Sequence, residues 1–494
     1  MSKNALTGLV TVFALSVAGQ GFSHADTFKV HKDRVLGTSF DLLIVSPEKG
    51  DAKRAEEAIL NEIERLSEVF SLYQPSEIQR LNSTDSLQVS EELLEVWDVC
   101  ENYRVETSQA LSCRIGTLLN EWSSAEEAQS VPDRPELRIE AGEIRRVVVP
   151  IQKNTRTVSR PDIVRFNMDA LAKGYIMDVA LDAGRRAVPT AEGMLINVGG
   201  DVLAWGEGPH DGSWRVAVTS DSELGDGASA HHRTLHVKVG AVATSAQQAR
   251  AIEIGGDAFG HIVSPADGWP VSHIKSATVY AASAVDADAF ATALMVMELK
   301  DGLAFIESKP GVEAEIVSSD GRHHSTTGWS SLRDQSVSSA QGAPDWPKGY
   351  EFAVNFEIPE HNVADYERPY VAVWISDDER NLVRILMLAG EQDRWMEENY
   401  YWHRRFGRKA GSLVDAVSGP TRRPGEYTLK WDGLDDDGSP VPPGDYILHL
   451  EAAREHGGHQ HERISFTLSS QAVLEQVEPG DELGPISVKF DAVD

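Results

Sequence analysis

The apolar positions of the first 330 residues follow two repeats, one typical of strands and one typical of helices. Residues 28–45 end in the strand-like run LGTSFDLLIV, and residues 51–70 carry apolar side chains three and four positions apart, as an amphipathic helix does. Further helices are expected over 91–107 and from about Ala170 in FNMDALAKGYIMD, and buried strands over 194–205. This mixture predicts an α+β fold.

The pattern weakens in the middle of this region. After ALSCRIGTLLNEW, which ends at Trp122, we expect an acidic loop as far as about Leu137. Short strands are then expected at 145–151 and 155–158.

A different rhythm begins after residues 335–349, whose Ser, Gly and Pro content indicates a linker. Short alternating runs such as EFAVNFEIP, YVAVWISD and GDYILHLEAARE are separated by turn residues. This spacing predicts an all-β, Ig-like sandwich over residues 350–470, followed by an acidic tail over 471–494. His459 and His461 share one face of a late strand, where a metal site or a polar hairpin tip would explain them.

The first 25 residues have the features of an export signal. Lys3 precedes an apolar run over 9–18, and Ser23 and Ala25 supply the small residues of a cleavage site. We therefore expect a signal peptide cleaved after Ala25 and a periplasmic protein. The formal net charge of −31 opposes binding to nucleic acid or anionic lipid. No other apolar run approaches the roughly 20 residues of an integral membrane span.

The chain has two cysteines, Cys100 and Cys113. In an oxidising compartment they could form a disulfide. Nothing in the sequence fixes the distance between them, so two small packed residues are an equal alternative.

Two helix beginnings carry candidate chemistry. Lys173 and Gly174 lie in the first turns of one helix, where unpaired backbone N–H groups and a cation suit a phosphate. Asp288 and Thr292 stand one turn apart near the start of another, and hard oxygen ligands of this kind suit Mg²⁺. The plain alternatives are a solvated lysine and an N-capping aspartate beside a buried threonine.

Eight stretches, taken in order from about Gly37 to Leu294, resemble the ApbE family of FAD:protein FMN transferases. They are LGTSFDLLIV, SLYQPSEIQRLN, ALSCRIGTLLNEW, NMDALAKGYIMD, INVGGDVLAWG, VATSAQQAR, GHIVSPADGWPV and ADAFATAL. The resemblance implies a Mg²⁺-dependent reaction outside the cytoplasm. FAD is split at its pyrophosphate, FMN is esterified to a Thr or Ser of an exported redox protein, and AMP is released.

The resemblance also implies which residues do the work. Mg²⁺ would be held by Asp288, the hydroxyl of Thr292 and the backbone carbonyl of Ala170. The expected catalytic residues are Asp288, Lys173, which would face FAD, and His261, which would act as general base on the acceptor hydroxyl. The remaining expected FAD contacts are Leu36, Tyr73, Ala110, Leu111, Ser112, Asn167, Gly199, Gly200 and Asp201.

The chain departs from the family pattern at several expected FAD contacts. Ser112 stands where the family has an acidic residue, a carboxylate has moved two places to Asp169, and HIVS replaces HIID at 261–264. These departures leave open a flavin-binding redox module, or an FAD pyrophosphatase that no longer transfers FMN to protein.

The C-terminal region contains a candidate acceptor. DAVSGPT at 415–421 resembles the flavinylation site of the family's targets, roughly Asp-x-x-Ser/Thr-Gly-Ala-Thr, with Pro420 replacing the Ala. The resemblance implies Thr421 as a possible site of covalent FMN, whereas a simple Gly-Pro turn is the alternative. If Thr421 is the acceptor, a transferase domain over 26–334 is fused to its own substrate, and the linker raises their effective concentration.

Overall fold

The computed structural model describes residues 25–210, 212–218, 233–247, 252–333, 350–359, 370–389, 400–402, 416–418, 425–431, 433, 435, 440–454, 458–469 and 472–492. The expected export signal, except Ala25, lies outside these residues, and so does Thr421. None of the helices in the described part of the chain is long and apolar enough to cross a membrane.

An eight-stranded antiparallel sheet forms the centre of the N-terminal region. Its strands, in spatial order, are β1 (Asp26–Val35), β2 (Thr38–Ser46), β6 (Gly193–Val198), β7 (Asp201–Gly206), β10 (Gly240–Ala246), β13 (Ile274–Ala281), β14 (Glu313–Ser318) and β15 (His323–Ser325). Because side chains alternate along each strand, this sheet has two faces to cover.

Helices cover one face. They are α1 (Gly50–Phe70), α2 (Glu77–Ser83), α3 (Glu91–Glu106), α6 (Asp169–Ala187), α7 (Ala284–Val296) and α8 (Leu299–Glu307). Two further helices, α4 (Gly116–Ala128) and α5 (Arg134–Arg146), pack together in a separate apolar cluster. Leu42 and Ile196 on the sheet share a core with Ile59 of α1 and Met177 of α6. The small strands β3 (Ser86–Gln88), β4 (Ile151–Gln152) and β5 (Thr157–Ser159) form a separate sheet, and β11 (Ile252–Ile254) pairs with β12 (Asp257–Phe259).

A second, smaller layer covers the other face. Its strands are β19 (Ala416–Ser418), β8 (Trp214–Val218) and β9 (Arg233–Val237), in that spatial order. Leu43 and Leu195 pack against Trp214 and Val216 of this layer. Their neighbours along each strand face the helices instead, because side chains alternate between the two faces. The α+β prediction for this region is confirmed.

The expected acidic loop before Leu137 is wrong. Residues 116–146 form α4 and α5, and Asp133 caps α5 by accepting the N–H of Glu136. Leu137 and Ile144 are buried on one face of α5, but the charged residues between them hide this spacing in the sequence. Because α5 continues to Arg146, the strand expected over 145–151 is reduced to Ile151–Gln152.

Cys100, in α3, and Cys113 form a disulfide. Their Cα atoms are 6.2 Å apart, and both side chains are buried in the main core. The bond ties α3 to the segment 110–113 that precedes α4.

The C-terminal region is a sandwich of two four-stranded antiparallel sheets, as the strand rhythm predicts. One sheet contains β20 (Gly425–Trp431), β16 (Tyr350–Ile358), β24 (Ile486–Ala492) and β23 (Val473–Val477). The other contains β18 (Leu382–Ala389), β17 (Tyr370–Asp377), β21 (Gly444–Ala453) and β22 (His459–Leu468), and α9 (Tyr400–Trp402) accompanies them. Phe352, Leu448 and Phe490 are fully buried in their shared core.

The acidic tail expected over 471–494 is therefore a wrong assignment. Ile486, Val488 and Phe490 alternate inward along β24 and are buried. Acidic residues fill the turn between β23 and β24, and this charge concealed a strand in the middle of its sheet.

Candidate active site

The site is built where α6 crosses the start of α7. A Cβ on Gly174 would lie 2.3 Å from the carbonyl oxygen of Ala284, so only glycine allows the helices to approach this closely. One turn later the half-buried carboxylate of Asp178 accepts the N–H groups of Ala284 and Val285, at 2.9 and 3.0 Å. Asp178 thus caps α7, and burial raises its pKa to about 6. The crossing fixes α6 and α7 in register.

This register brings three charged groups together. Lys173 Nζ is 2.5 Å from Asp201 Oδ2, at the start of β7. Asp288 on α7 is buried, and the backbone N–H of Gly174 donates to its carboxylate. Burial raises the pKa of Asp288 well above its usual range; nearby Asp201 acts in the same direction, whereas Lys173 opposes it. The site holds a carboxylate in a place where its charge is costly.

Hydroxyl groups stand beside these charges. Thr292 follows Asp288 by one turn of α7, and its Oγ1 is 3.3 Å from Oγ of Ser245 on β10. The sequence pairing of Asp288 with Thr292 is therefore realised on one helix. Ser245 was not among the expected site residues, although it lies in the VATSAQQAR stretch.

The two glycine turns also meet at this end of the sheet. Leu36, with φ 53°, turns the chain from β1 into β2, and Gly199 (φ 57°) and Gly200 (φ 94°) turn it from β6 into β7. A Cβ on Gly199 would lie 2.6 Å from Oγ1 of Thr38, and its N–H donates to the carbonyl of Ser39. The structure thus brings Leu36 and Gly199–Gly200 together, directly before Asp201.

A cleft of about 410 Å³ lies at the entry to α6. Its lining residues are Leu72, Gln79, Asn82, Ser83, Gly116, Leu119, Asn120, Arg165, Phe166 and Asn167. The Asn82 amide brackets Phe166 by donating to its carbonyl at 2.8 Å and accepting its N–H at 2.7 Å. These two hydrogen bonds fix the backbone at Phe166. Asn167, an expected FAD contact, follows directly at the cleft wall.

Four further expected FAD contacts, Ala110, Leu111, Ser112 and Tyr73, lie near this cleft. The N–H of Asn167 donates to the carbonyl of Cys113, so the segment of Ala110, Leu111 and Ser112 runs beside it. Leu111 itself points into the main core and is 2% exposed. Tyr73 follows the lining residue Leu72 in sequence, and its ring is 80% exposed.

His261 stands in a neighbouring segment between β12 and β13. The preceding residue, Gly260, packs against Gln247, which follows the last residue of β10. Gln247 in turn donates to the carbonyl of Val271 at 2.5 Å. His261 is thereby held, half-buried, near the end of β10 on which Ser245 lies.

The residues at the α6–α7 crossing fit a hard divalent cation. Oδ2 of Asp288 is buried and accepts no hydrogen bond from any described residue, so this oxygen is available to a ligand. The described residues contain no group of three or more His, Cys, Asp or Glu that could hold a metal ion. A cation beside Asp288 would therefore be completed by neutral oxygens. The Thr292 hydroxyl and the Ala170 carbonyl, four residues before Gly174, are oxygens of this type.

Comparison with known proteins gives a family match for each of the two regions. Residues 36–316 match the model of the ApbE family, and residues 351–484 match a family described as a predicted periplasmic protein, DUF2271. The chain is 27% identical over 297 residues to a FAD:protein FMN transferase of Vibrio cholerae, covering 58% of this chain and 86% of the relative. It is 24% identical over 289 residues to the Escherichia coli K12 protein of that name, covering 56% and 80%.

Solved structures share the fold of the N-terminal region. An ApbE protein of Thermotoga maritima superposes with a TM-score of 0.56 at 25% identity, covering 63% of this chain and all of that one. A mutant of the flavin transferase ApbE from Vibrio cholerae superposes with a TM-score of 0.53 at 24% identity. This match covers 62% of this chain and all of that one. Since the family match spans more than half of the sequence, the chain belongs to the ApbE family.

Proposed function

We propose that the protein is a Mg²⁺-dependent FAD:protein FMN transferase. One observation carries the proposal: Asp288 is buried beside Lys173 and Asp201 with an oxygen that no described residue satisfies. A site of this kind gains from a cation and a phosphate-bearing substrate together. The names of the similar proteins support the same reaction class.

Asp288, the Thr292 hydroxyl and the Ala170 carbonyl would hold Mg²⁺. When bound, the ion would neutralise charge on the pyrophosphate of FAD, which is the main requirement of phosphoryl transfer. The ionised form of Asp288 is the ligand, so the cation also offsets the unfavourable burial of that charge.

The chain's own groups position the substrate. Asp201 fixes the Lys173 ammonium at the start of α6, where it can donate to phosphate oxygens. The Gly199–Gly200 turn, beside Leu36, would let FAD approach the main chain closely because neither glycine carries a Cβ. The cleft wall at Asn167, with Ala110, Leu111, Ser112 and Tyr73 nearby, would take the nucleotide.

In the transfer step the acceptor hydroxyl oxygen attacks the phosphorus of the FMN half. A new P–O bond forms while the pyrophosphate P–O bond breaks, and AMP leaves with the bridging oxygen. His261 would take the hydroxyl proton, a role that an imidazole suits near neutral pH.

The acceptor is proposed to be a Thr or Ser of an exported protein, with Thr421 of this chain as one candidate. The proposed organisation is a signal peptide over 1–25, a transferase domain over 26–334, a linker over 335–349 and a sandwich domain from 350. This places the reaction in the periplasm.

Product analysis tests the proposal against its alternatives. The wild-type chain is incubated with FAD and Mg²⁺, and AMP, free FMN and protein-bound flavin are quantified. Protein-bound flavin with equimolar AMP supports transfer, whereas free FMN with AMP indicates an FAD pyrophosphatase. Bound FAD without AMP indicates a redox module. Lys173→Met should reduce AMP release at least 100-fold, and Lys300→Met, at an exposed lysine of α8, should leave it unchanged.

A further inference from the structure

One strand of the transferase region comes from the far side of the linker. β19 (Ala416–Ser418) pairs in parallel with β8, with Ala416 opposite Val216 and Ser418 opposite Val218. β19 belongs to neither sheet of the C-terminal sandwich. Without it, β8 and β9 would form a two-stranded ribbon with the edge of β8 open. An open edge accepts an extended peptide through main-chain hydrogen bonds.

The edge of β8 has a fixed relation to the candidate active site. Val216 and Val218 pack with Val202 of β7 and Val242 of β10, and β19 lies against both of these strands. β7 begins at Asp201, and β10 carries Ser245. The docked strand therefore rests on the two strands that supply site residues, on the face away from the helices.

The direction of β8 matters as well. Gly208, just after β7, packs so closely on Ser213, just before β8, that a Cβ would lie 2.1 Å from its carbonyl oxygen. β8 thus starts where β7 ends and runs back along it, so Val218 lies toward the Asp201 end of the sheet. Because the pairing is parallel, Ser418 lies at that end too. A peptide docked in this way leaves β8 on the side of the active site.

We propose that the edge of β8, Val216–Val218, is the docking strand for the acceptor segment of the protein to be flavinylated, and that β19 occupies it in cis. This inference rests on the proposed transferase function. The cis segment is Ala-Val-Ser, and the sequence reaches a hydroxyl at Thr421 three residues later, about 10 Å of extended chain. Main-chain pairing would tolerate other acceptor sequences that supply a short extended run before the hydroxyl.

The first test is peptide binding to the full chain. A fluorescent peptide of residues 412–424, SLVDAVSGPTRRP, is titrated into wild type and into Val417→Pro, whose cis strand can no longer pair fully. The open edge of Val417→Pro should bind at least ten-fold more tightly than wild type, where the cis segment competes. A matched peptide carrying the same proline should bind neither chain. Equal binding to both chains, or to neither, overturns the docking role.

The second test does not depend on how Val417→Pro folds. Ala217→Cys with Val417→Cys places two thiols at directly paired positions about 4.8 Å apart, within disulfide range. Arg215→Cys with Val417→Cys offsets them by two residues, to about 8 Å, which is out of range. The first pair should oxidise at least ten-fold faster than the second. Equal rates overturn the proposed register.

The two proposals fail separately. FMN incorporation into the added peptide by Val417→Pro reports on transfer through this edge. The locked Ala217→Cys/Val417→Cys chain should not transfer FMN to the peptide, and reduction of its disulfide should restore transfer. If transfer to the peptide is unchanged by locking, the docking proposal is wrong and the transferase stands. If the peptide binds as expected but neither FMN transfer nor AMP release occurs, the transferase proposal is wrong and the docking surface stands.

Discussion

Replacing Gly174 by Ala tests whether the α6–α7 crossing organises the site. In a helix interior Ala is favoured over Gly by about 1 kcal/mol. Against that, the new Cβ would lie 2.3 Å from the carbonyl oxygen of Ala284 and 2.7 Å from the Cα of Val285. Both are main-chain atoms, so no rotamer change relieves the contact.

Restoring ordinary contact would require the helices to separate by about 1 Å. We expect this separation to lower the free energy of unfolding by about 3 kcal/mol, the upper end for overpacked cores. The net loss is about 2 kcal/mol, or a melting temperature about 4–8 °C lower for a region of this size. Because Lys173 directly precedes Gly174 and the N–H of Gly174 donates to Asp288, FMN transfer should fall together with stability.

The matched control is Gly142→Ala in α5. There the nearest atom to a Cβ is the guanidinium end of Arg146 at 3.5 Å, which is ordinary contact with a flexible side chain. This variant should be more stable than wild type by about 1 kcal/mol and should melt about 2–4 °C higher, with FMN transfer unchanged. Calorimetry of both variants decides. If Gly174→Ala melts at or above wild type and transfers normally, the close crossing is not what holds the site.

Three further changes test individual groups. Asp288→Asn should abolish both FMN transfer and any rise in melting temperature with Mg²⁺, without lowering the stability of the metal-free protein. The control, Asp301→Asn on α8, should change neither transfer nor the response to Mg²⁺. Because folding raises the pKa of Asp178 from 3.8 to about 6, stability should fall by about 2 kcal/mol as pH rises from 4 to 6, and Asp178→Asn should remove that slope in calorimetry. Burial lowers the pKa of His461 from 6.5 to about 4, so the sandwich should lose stability as pH falls through this window; denaturant unfolding of His461→Gln should show a flatter profile.

Periodic elements could be predicted from the sequence because their apolar stripes are uninterrupted. In α1, Ala55, Ile59, Ile63 and Leu66 all face the core, and the sandwich strands alternate cleanly. In α5 and β24, by contrast, charged residues occupy most exposed positions and dilute the same periodicity. Burial there is decided by partners elsewhere in the chain, such as Trp122 for α5.

The candidate site likewise has residues that the sequence predicts and contacts that it does not. Lys173, Asp288 and Thr292 could be proposed because each stands at a recognisable helix position. The capping of α7 by Asp178 could not, since it depends on a crossing between segments more than 100 residues apart. Likewise, the pairing of β19 with β8 joins residues about 200 positions apart and leaves no periodic signal. Long-range packing is the part that sequence patterns leave open.

The most direct test of the central claim is the intact mass of the protein after incubation with FAD, with Mg²⁺ or with a chelator. The peptide of residues 412–424 is present as a second acceptor. The account predicts a covalent FMN increment on the chain or the peptide and an equal amount of AMP, both lost with the chelator and in Asp288→Asn. No increment on either acceptor, or an increment that survives in Asp288→Asn, would contradict it.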